Sequence, residues 1–208
     1  MGSIEQAQTV NAPRNLRAEQ AEKTKSDLIA AARRLFAEKG YFATGTHEIV
    51  DCAQVTRGAL YHHFPQKDDL FRAVFHAVQD DLLDHTMLEQ PVPGDGRLWH
   101  GLKEKLAQFF VAARKPEVQR ILLQDGPAVL GWSEWRALEA HYGLAVITRA
   151  LEDGMMAGLV REQAVEPLSL LILAIINEAS LYVANAPDDA QAVAAATAAI
   201  NTLLGNLT

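Results

Sequence analysis

Two short runs of helical period, each opening at a threonine and separated only by Gln54 and Val55, constrain this chain more than any other feature. Thr46 is predicted to cap the first run, with Glu48 favourable in its first turn and Ile49, Val50 and Ala53 forming the inward face. Thr56 is predicted to cap the second, whose Ala59, Leu60 and Phe64 face inward before Pro65 ends it. Two capped helices across so tight a turn imply a helix-turn-helix over Thr46 to Phe64. Upstream, Leu28, Ile29, Ala32, Leu35 and Phe36 recur at helical spacing from Ser26, and Gly40 supplies a stop. That run is the predicted first helix.

The remainder is predicted to be helical as well. Lys67, Asp68 and Asp69 open a longer helix to about Met87, carrying Leu70, Phe71, Val74, Phe75, Val78 and Leu82 on one side. Pro91, Pro93, Gly94, Asp95 and Gly96 break the pattern, which resumes over Leu98 to Ala113 and Glu117 to Gln124. Gly126, Pro127 and Gly131 form a further break before a long helix from Ser133 to Met156. After Gly158 come Pro167 to Ala184 and Asp188 to Leu204, rich in Ala and Leu. The expected fold is all-α, with about nine helices: a flexible leader over 1–20, a three-helix helix-turn-helix domain over 21–66, and a helical ligand-binding and dimerisation domain over 67–208.

Charge sharpens this division. The chain carries a net −7, but residues 1–67 sum to +2 and residues 68–208 to −9. It is local charge that faces phosphate. The single cysteine, Cys52, has no intrachain partner and no companion thiolate for a metal site, so a reducing, cytoplasmic location is expected. Residues 1–20 lack the pattern of a signal peptide, and the most apolar run, Leu168 to Ile176, stops at Asn177 and Glu178, so no membrane association is expected. No phosphate-cradling, zinc-protease, nucleophile-elbow or dinucleotide motif is present. Glu139 and Asp153 read as solvated residues on exposed helical faces, and no catalytic residue, metal site or cofactor is expected.

The segments LIAAARRLFAEKGY, THEIVDCAQVT and TRGALYHHFPQKDDL, in that order between Lys25 and Leu70, resemble the DNA-binding domain of the tetracycline-repressor (TetR) family. One departure is Gln54, where that family usually has a glycine in a left-handed turn; glutamine can adopt this conformation at some strain. The resemblance implies a transcriptional regulator, most simply a repressor that a small, partly apolar ligand releases from a palindromic operator. An activator, or a DNA-binding protein with no effector, has the same fold. An enzyme using the C-terminal cavity is the alternative from another class.

In a helix-turn-helix the second helix enters the major groove N-terminus first, which places Thr56, Arg57, Gly58 and Ala59 nearest base edges. Arg57 can grip guanine O6 and N7 as a fork, or contact phosphate alone. The resemblance assigns Tyr61, His62, His63 and Lys67 to DNA contacts, chiefly with the backbone, and Thr46 and His47 join them. Adjacent His62 and His63 diverge by about 100° on a helix, which disfavours a shared metal.

The resemblance also implies a homodimer formed through the last two helices. The stripes Leu171, Ile175, Ala179, Tyr182 and Ala192, Ala195, Ala199, Leu203 suit close helix packing, although packing within one chain would produce the same pattern. A dimer reads two half-sites about one turn of DNA apart, roughly 34–36 Å. For the ligand cavity, Phe109, Phe110, Leu122, Trp132, Trp135, Tyr142 and Ile147 are the apolar candidates, with Asp125, His141, Asn177 and Glu178 as polar partners. Ordinary core packing is the competing reading for each aromatic.

Overall fold

Helical propensity carries further along the chain than hydrophobic period does. The computed structural model describes residues 12–84, 94–187 and 189–207, and α1 already runs over Ala12–Lys39. Residues 12–20 of the predicted flexible leader are helical, and residues 1–11 lie outside the described residues. Ala, Leu, Arg, Glu and Gln are strong helix formers, and the stretch from Leu16 to Gln20, which is exposed, is helical without an apolar stripe.

Helices α2 (Thr46–Ala53) and α3 (Arg57–His63) form the helix-turn-helix, and α4 (Lys67–Asp84) follows. The cap of α2 is Gly45, not Thr46, which is the first helical residue. Here Glu48 reaches back to accept the Gly45 N–H at 3.1 Å, satisfying a donor that the helix itself leaves unpaired. Thr56 caps α3 as predicted, its Oγ1 accepting the Ala59 N–H at 3.1 Å. Gln54 stands at φ 55° and ψ 39°, the left-handed turn that the motif requires.

Then come α5 (Arg97–Ala113), a π-type helical segment (Val118–Asp125), α6 (Gly126–Leu130), α7 (Trp132–Met156), α8 (Val165–Asn185) and α9 (Asp189–Gly205). Among the described residues there are nine α-helices and no strand. The predicted break at Gly126–Gly131 contains the short α6, since Pro127 sits in its first turn, where no backbone N–H is needed. The ends of the predicted helix to Met87, Pro91, Pro93 and Asp188 fall outside the described residues.

Two apolar cores result. One joins Leu28, Phe36, Ile49, Leu60, Phe71 and Phe75 to Val118, Ile121, Leu122 and Trp135. The helix-turn-helix thus shares its core with the π-type segment and α7 through α4, and the chain does not separate its apolar packing at residue 66. The second core unites α5, α7, α8 and α9 around Trp99, Phe110, Leu151 and Ile176. Each fully buried large side chain of this kind contributes about 1.5–3 kcal/mol relative to exposure.

Two carboxylates stand where the sequence reading had not put them. Asp153 is fully buried, accepting the N–H groups of Gly94 at 2.6 Å and Leu98 at 2.9 Å, and so ties the start of α5 to α7. Burial pushes its carboxyl up, but backbone hydrogen bonds from Gly94, Trp99, Gly96 and Leu98 together hold it below its ordinary value. Glu139, 7% exposed, is also interior. By length and composition α8 is apolar enough to cross a membrane, with a mean hydropathy of 1.7, because Asn177 and Glu178 interrupt its apolar run without ending it. Only 39% of that stretch is buried within the chain, which leaves one long exposed face.

Candidate nucleic-acid interface and ligand cavity

The first turn of α3 stands clear of the protein. Thr56, Arg57 and Gly58 are exposed, Ala59 is half-buried, and Leu60 and Phe64 anchor the helix from below. Arg57 lies over the Tyr61 ring at 5.5 Å, and the Thr46 hydroxyl and the Arg57 guanidinium hydrogen-bond to the Tyr61 phenol, lowering it from its ordinary value. The half-buried Thr46 and the exposed Arg57 and Tyr61 therefore form one cluster across the turn. His47 pairs with Asp51 at 2.8 Å on the open face of α2. His62 is exposed and His63 half-buried, their rings edge-on at 5.3 Å. No cluster of metal-ligating side chains occurs among the described residues.

Lys67 is held further inward than its predicted phosphate role suggests. Its Nζ donates to the Tyr41 carbonyl at 2.5 Å and sits 3.8 Å from the centre of the Tyr41 ring, with burial lowering the ammonium below its ordinary value. Tyr41 in turn packs on Phe36 and Phe71 and donates its N–H to Asp125 at 2.7 Å. Arg120 lies over Gly40, at φ +83°, where the missing Cβ makes room for the guanidinium, and its Nε reaches Asp125 at 3.4 Å. The corner between α1 and α2 is thus latched to the π-type segment.

Between the two cores lies a cavity of about 100 Å³ bounded by α4, α5, α7 and α8. Of the residues the sequence proposed, Phe109, Tyr142, Ile147 and Asn177 line it, and Leu122 lines an adjoining space of about 30 Å³. The others lie elsewhere. Phe110 is wholly in the second core, and Trp135 is in the first, donating its indole N–H to the Leu122 carbonyl at 3.0 Å. Trp132 is 68% exposed, His141 and Glu178 are exposed, and Asp125 serves the latch.

The sequence reading missed Gln79 and Glu139, which share the cavity's polar lining with Lys105, Tyr142 and Asn177. Gln79 Nε2 donates to Glu139 Oε1 at 2.7 Å. Burial pushes the Glu139 carboxyl up to about 7, against the Arg136 charge and hydrogen bonding from Asn177 and Gln79. Asn177 leans toward that carboxyl, yet its buried Nδ2 makes no hydrogen bond of good geometry. Tyr142 donates or accepts at 2.6 Å with His76 Nδ1, and burial together with Asp80 pushes its phenol up to about 12. A signal for both missed residues exists: Glu139 continues the stripe Trp135, Glu139, Tyr142, Val146, and Gln79 stands between Phe75 and Leu82.

On the far side, Leu171, Ile175 and Tyr182 of α8 and Ala195, Ala199 and Leu203 of α9 are exposed. Ala192, predicted in the same stripe, is instead 3% exposed and belongs to the chain's own second core. Ala179 is half-buried against that core. A periodic Ala stripe cannot reveal which of its members a helix turns inward.

Comparison with known proteins converges on one group. Residues 28–74 match the family described as bacterial regulatory proteins of the tetR family, and residues 99–207 match the tetracyclin repressor-like C-terminal domain. The Transposon Tn10 TetC protein of Escherichia coli is 30% identical over 147 residues, spanning 69% of this chain and 73% of that protein. The HTH-type transcriptional regulator TtgR of Pseudomonas putida is 27% identical over 150 residues, 67% of this chain and 71% of that one. A crystal structure of a TetR-family transcriptional regulator from Pectobacterium atrosepticum superposes with a TM-score of 0.71 at 29% identity, covering 91% of this chain and 96% of the other.

Proposed function

The chain belongs to the TetR family of DNA-binding transcriptional regulators, and from that premise we propose that it is a homodimeric repressor whose cavity takes the small molecule that releases it from a palindromic operator. The observation that carries the coupling is the dual role of α4: Leu70, Phe71 and Phe75 pack in the helix-turn-helix core, while Gln79 and Leu83 of the same helix line the cavity. A ligand that moves α4 moves the recognition helices with it. It shifts the balance only by its differential affinity for the DNA-competent and DNA-incompetent states.

In this reading Arg57 is the base reader, and Thr46, His47, Tyr61, His62 and His63 orient the helix through phosphate. Thr56, Gly58 and Ala59 let the backbone approach the groove. Lys67 stabilises the Tyr41 corner and lends its charge from there. The exposed α8 and α9 faces pair across a two-fold axis, which suits a self-complementary interface and accounts for the apolar exposure of Leu171, Ile175 and Tyr182. The domain division follows function: residues up to 66 read DNA, and those from 67 respond to ligand and dimerise.

The test is retardation of DNA from upstream of the protein's own gene, at two salt concentrations and beside Arg57→Ala. Specific, salt-sensitive retardation that Arg57→Ala weakens is expected. Equal retardation by the variant, or retardation indifferent to sequence, overturns the assignment of Arg57 as the reader.

A further inference from the structure

Helix α4 is held by contacts of two kinds. Leu70, Phe71, Val74 and Phe75 set it in the apolar core of the helix-turn-helix, and Asp81 pairs with Arg33 of α1. Its side-chain bonds to α7 are polar. Arg72 donates from Nε and Nη2 to the two carboxylate oxygens of Glu134 at 2.5 and 3.2 Å, His76 Nδ1 meets the Tyr142 hydroxyl at 2.6 Å, and Gln79 Nε2 donates to Glu139 Oε1 at 2.7 Å. Arg72, His76 and Gln79 stand at i, i+4 and i+7 on one stripe of α4. Bonds of this kind exchange for bonds to water or ligand at small net change, whereas an apolar core does not, so this seam is where α4 can part from α7. Gln79, Glu139 and Tyr142 also line the cavity, and an occupant that engages them competes with the seam. In a repressor released by its ligand, the closed seam is therefore the arrangement that binds operator.

Glu139 is the seam's sensitive point. It is 7% exposed and shares its surroundings with Gln79 of α4, Lys105 of α5, Tyr142 of its own helix and Asn177 of α8, while the π-type segment contributes the apolar Val118, Leu122 and Leu123. Arg136 acts on it through its charge; His76 and Asp80 of α4 are directed to Tyr142 instead. The Arg136 charge and hydrogen bonding from Asn177 and Gln79 favour the carboxylate, yet burial outweighs them and pushes the carboxyl up to about 7. Ionised Glu139 regains hydration when α4 draws away, so the closed seam holds the proton more tightly than the open one. Proton binding therefore favours closure, and closure weakens as pH rises through about 7.

We propose that Gln79 and Glu139 are positioning residues for operator binding: with the Arg72–Glu134 and His76–Tyr142 contacts they hold α4 closed on α7 in the arrangement that binds DNA, and loss of the Glu139 proton lets the two helices part. This rests on the reading of the chain as a ligand-released repressor, which identifies the closed seam with the DNA-binding state. Proton and cavity ligand then act on one joint in opposite senses, the proton closing it and the ligand opening it.

The test is the affinity of the full-length protein for the DNA it retards, at pH 6, 7 and 8 and constant ionic strength. Wild type is expected to bind most tightly at pH 6 and to lose affinity toward pH 8, by up to about tenfold per protomer for a carboxyl at about 7. Glu139→Gln, which fixes the neutral state, is expected to lack that part of the profile and to bind more tightly than wild type at pH 8. His47, His62, His63 and His76 are present in both chains, so the difference isolates Glu139. Gln79→Met, which keeps the length but not the donor, is expected to weaken binding at least about threefold. Identical profiles in wild type and Glu139→Gln, weaker binding by Glu139→Gln at pH 8, or undiminished binding by Gln79→Met overturns the proposal. Spin labels at Gln66→Cys, beside the start of α4, and Ala137→Cys on α7, in a Cys52→Ser background diluted with unlabelled protein, read the seam without DNA. A second distance population that appears at pH 8, and not when Glu139→Gln is added, is expected; a single unchanging distance overturns the movable seam. Two populations with an unchanged operator profile overturn its link to DNA. Absence of operator retardation at every pH overturns the repressor reading, and the spin-label distances then decide the seam by themselves.

Discussion

Around α3 the polar side chains are exposed or half-buried and meet one another at the surface, as Arg57 and Tyr61 do. In the cavity Gln79, Glu139 and Asn177 are each at least about nine-tenths buried, and the Asn177 amide nitrogen makes no hydrogen bond of good geometry. The first arrangement costs little to maintain and leaves its groups ready for a highly charged partner that brings its own hydration. The second holds polar groups under a desolvation penalty that a matching ligand relieves. Substitutions in the two regions should therefore differ in kind: those on α3 alter DNA binding without touching stability, and those at the cavity alter stability, ligand preference or both.

The largest expected effect tests whether the regions are separable at all. Phe75 is wholly buried in the core that α4 shares between them, close to Gly126. Phe75→Ala is expected to cost about 3–5 kcal/mol in urea unfolding, in one transition. Two transitions would break the picture of a shared core.

Next is Glu139. Its folded carboxyl is raised from 4.5 to about 7, so the folded state holds a proton that the unfolded chain releases at lower pH. Stability from this group is accordingly greatest below about pH 4.5 and falls as pH rises toward 7. The loss amounts to about 3 kcal/mol at most. Glu139→Gln should flatten this slope and raise Tm at pH 8 relative to wild type; an unchanged pH profile of melting would place the carboxyl in water.

Smaller again is Asp125→Asn, which weakens the charge-assisted acceptor for the Tyr41 N–H and the pairing with Arg120. A loss of about 1–2 kcal/mol in thermal unfolding is expected, with operator affinity reduced because the α1–α2 corner loosens. Unaltered operator affinity would limit the latch to stability. Smallest is Gln54→Gly: relief of the left-handed backbone at φ 55° is partly offset by the greater freedom of the unfolded chain. A gain of about 0.5 kcal/mol or less is expected, with retardation of operator DNA unchanged.

How much was legible follows from how far apart the interacting residues lie. The Thr56 cap joins residues three apart, and the Gln54 turn is decided by its immediate neighbours, so both could be read directly. The Gly45 cap was misassigned by one position because Thr46 is the better-known capping type, whereas Glu48 does the work from within the helix. Glu139 was misread for another reason: carboxylates on helices so often face water that it reads as solvated, although it continues the stripe of Trp135, Tyr142 and Val146. The exposed members of the α8 and α9 stripes were identified, while Ala192 was not separable from Ala195 by type.

By itself the sequence determined an all-helical chain, the place of its helix-turn-helix, and the Thr56 cap and Gln54 turn that shape it. These depend on period, capping and backbone preference, which act within a turn or two of helix. Only the tertiary structure decided which carboxylates are interior, which aromatics are core and which line the cavity, and that the corner at Gly40 and Tyr41 is latched to Asp125. The Gln79–Glu139 bond spans 60 residues and the Tyr41–Asp125 bond 84. Contacts of that reach depend on how whole helices pack, and local sequence pattern does not encode the rotation of one helix against another.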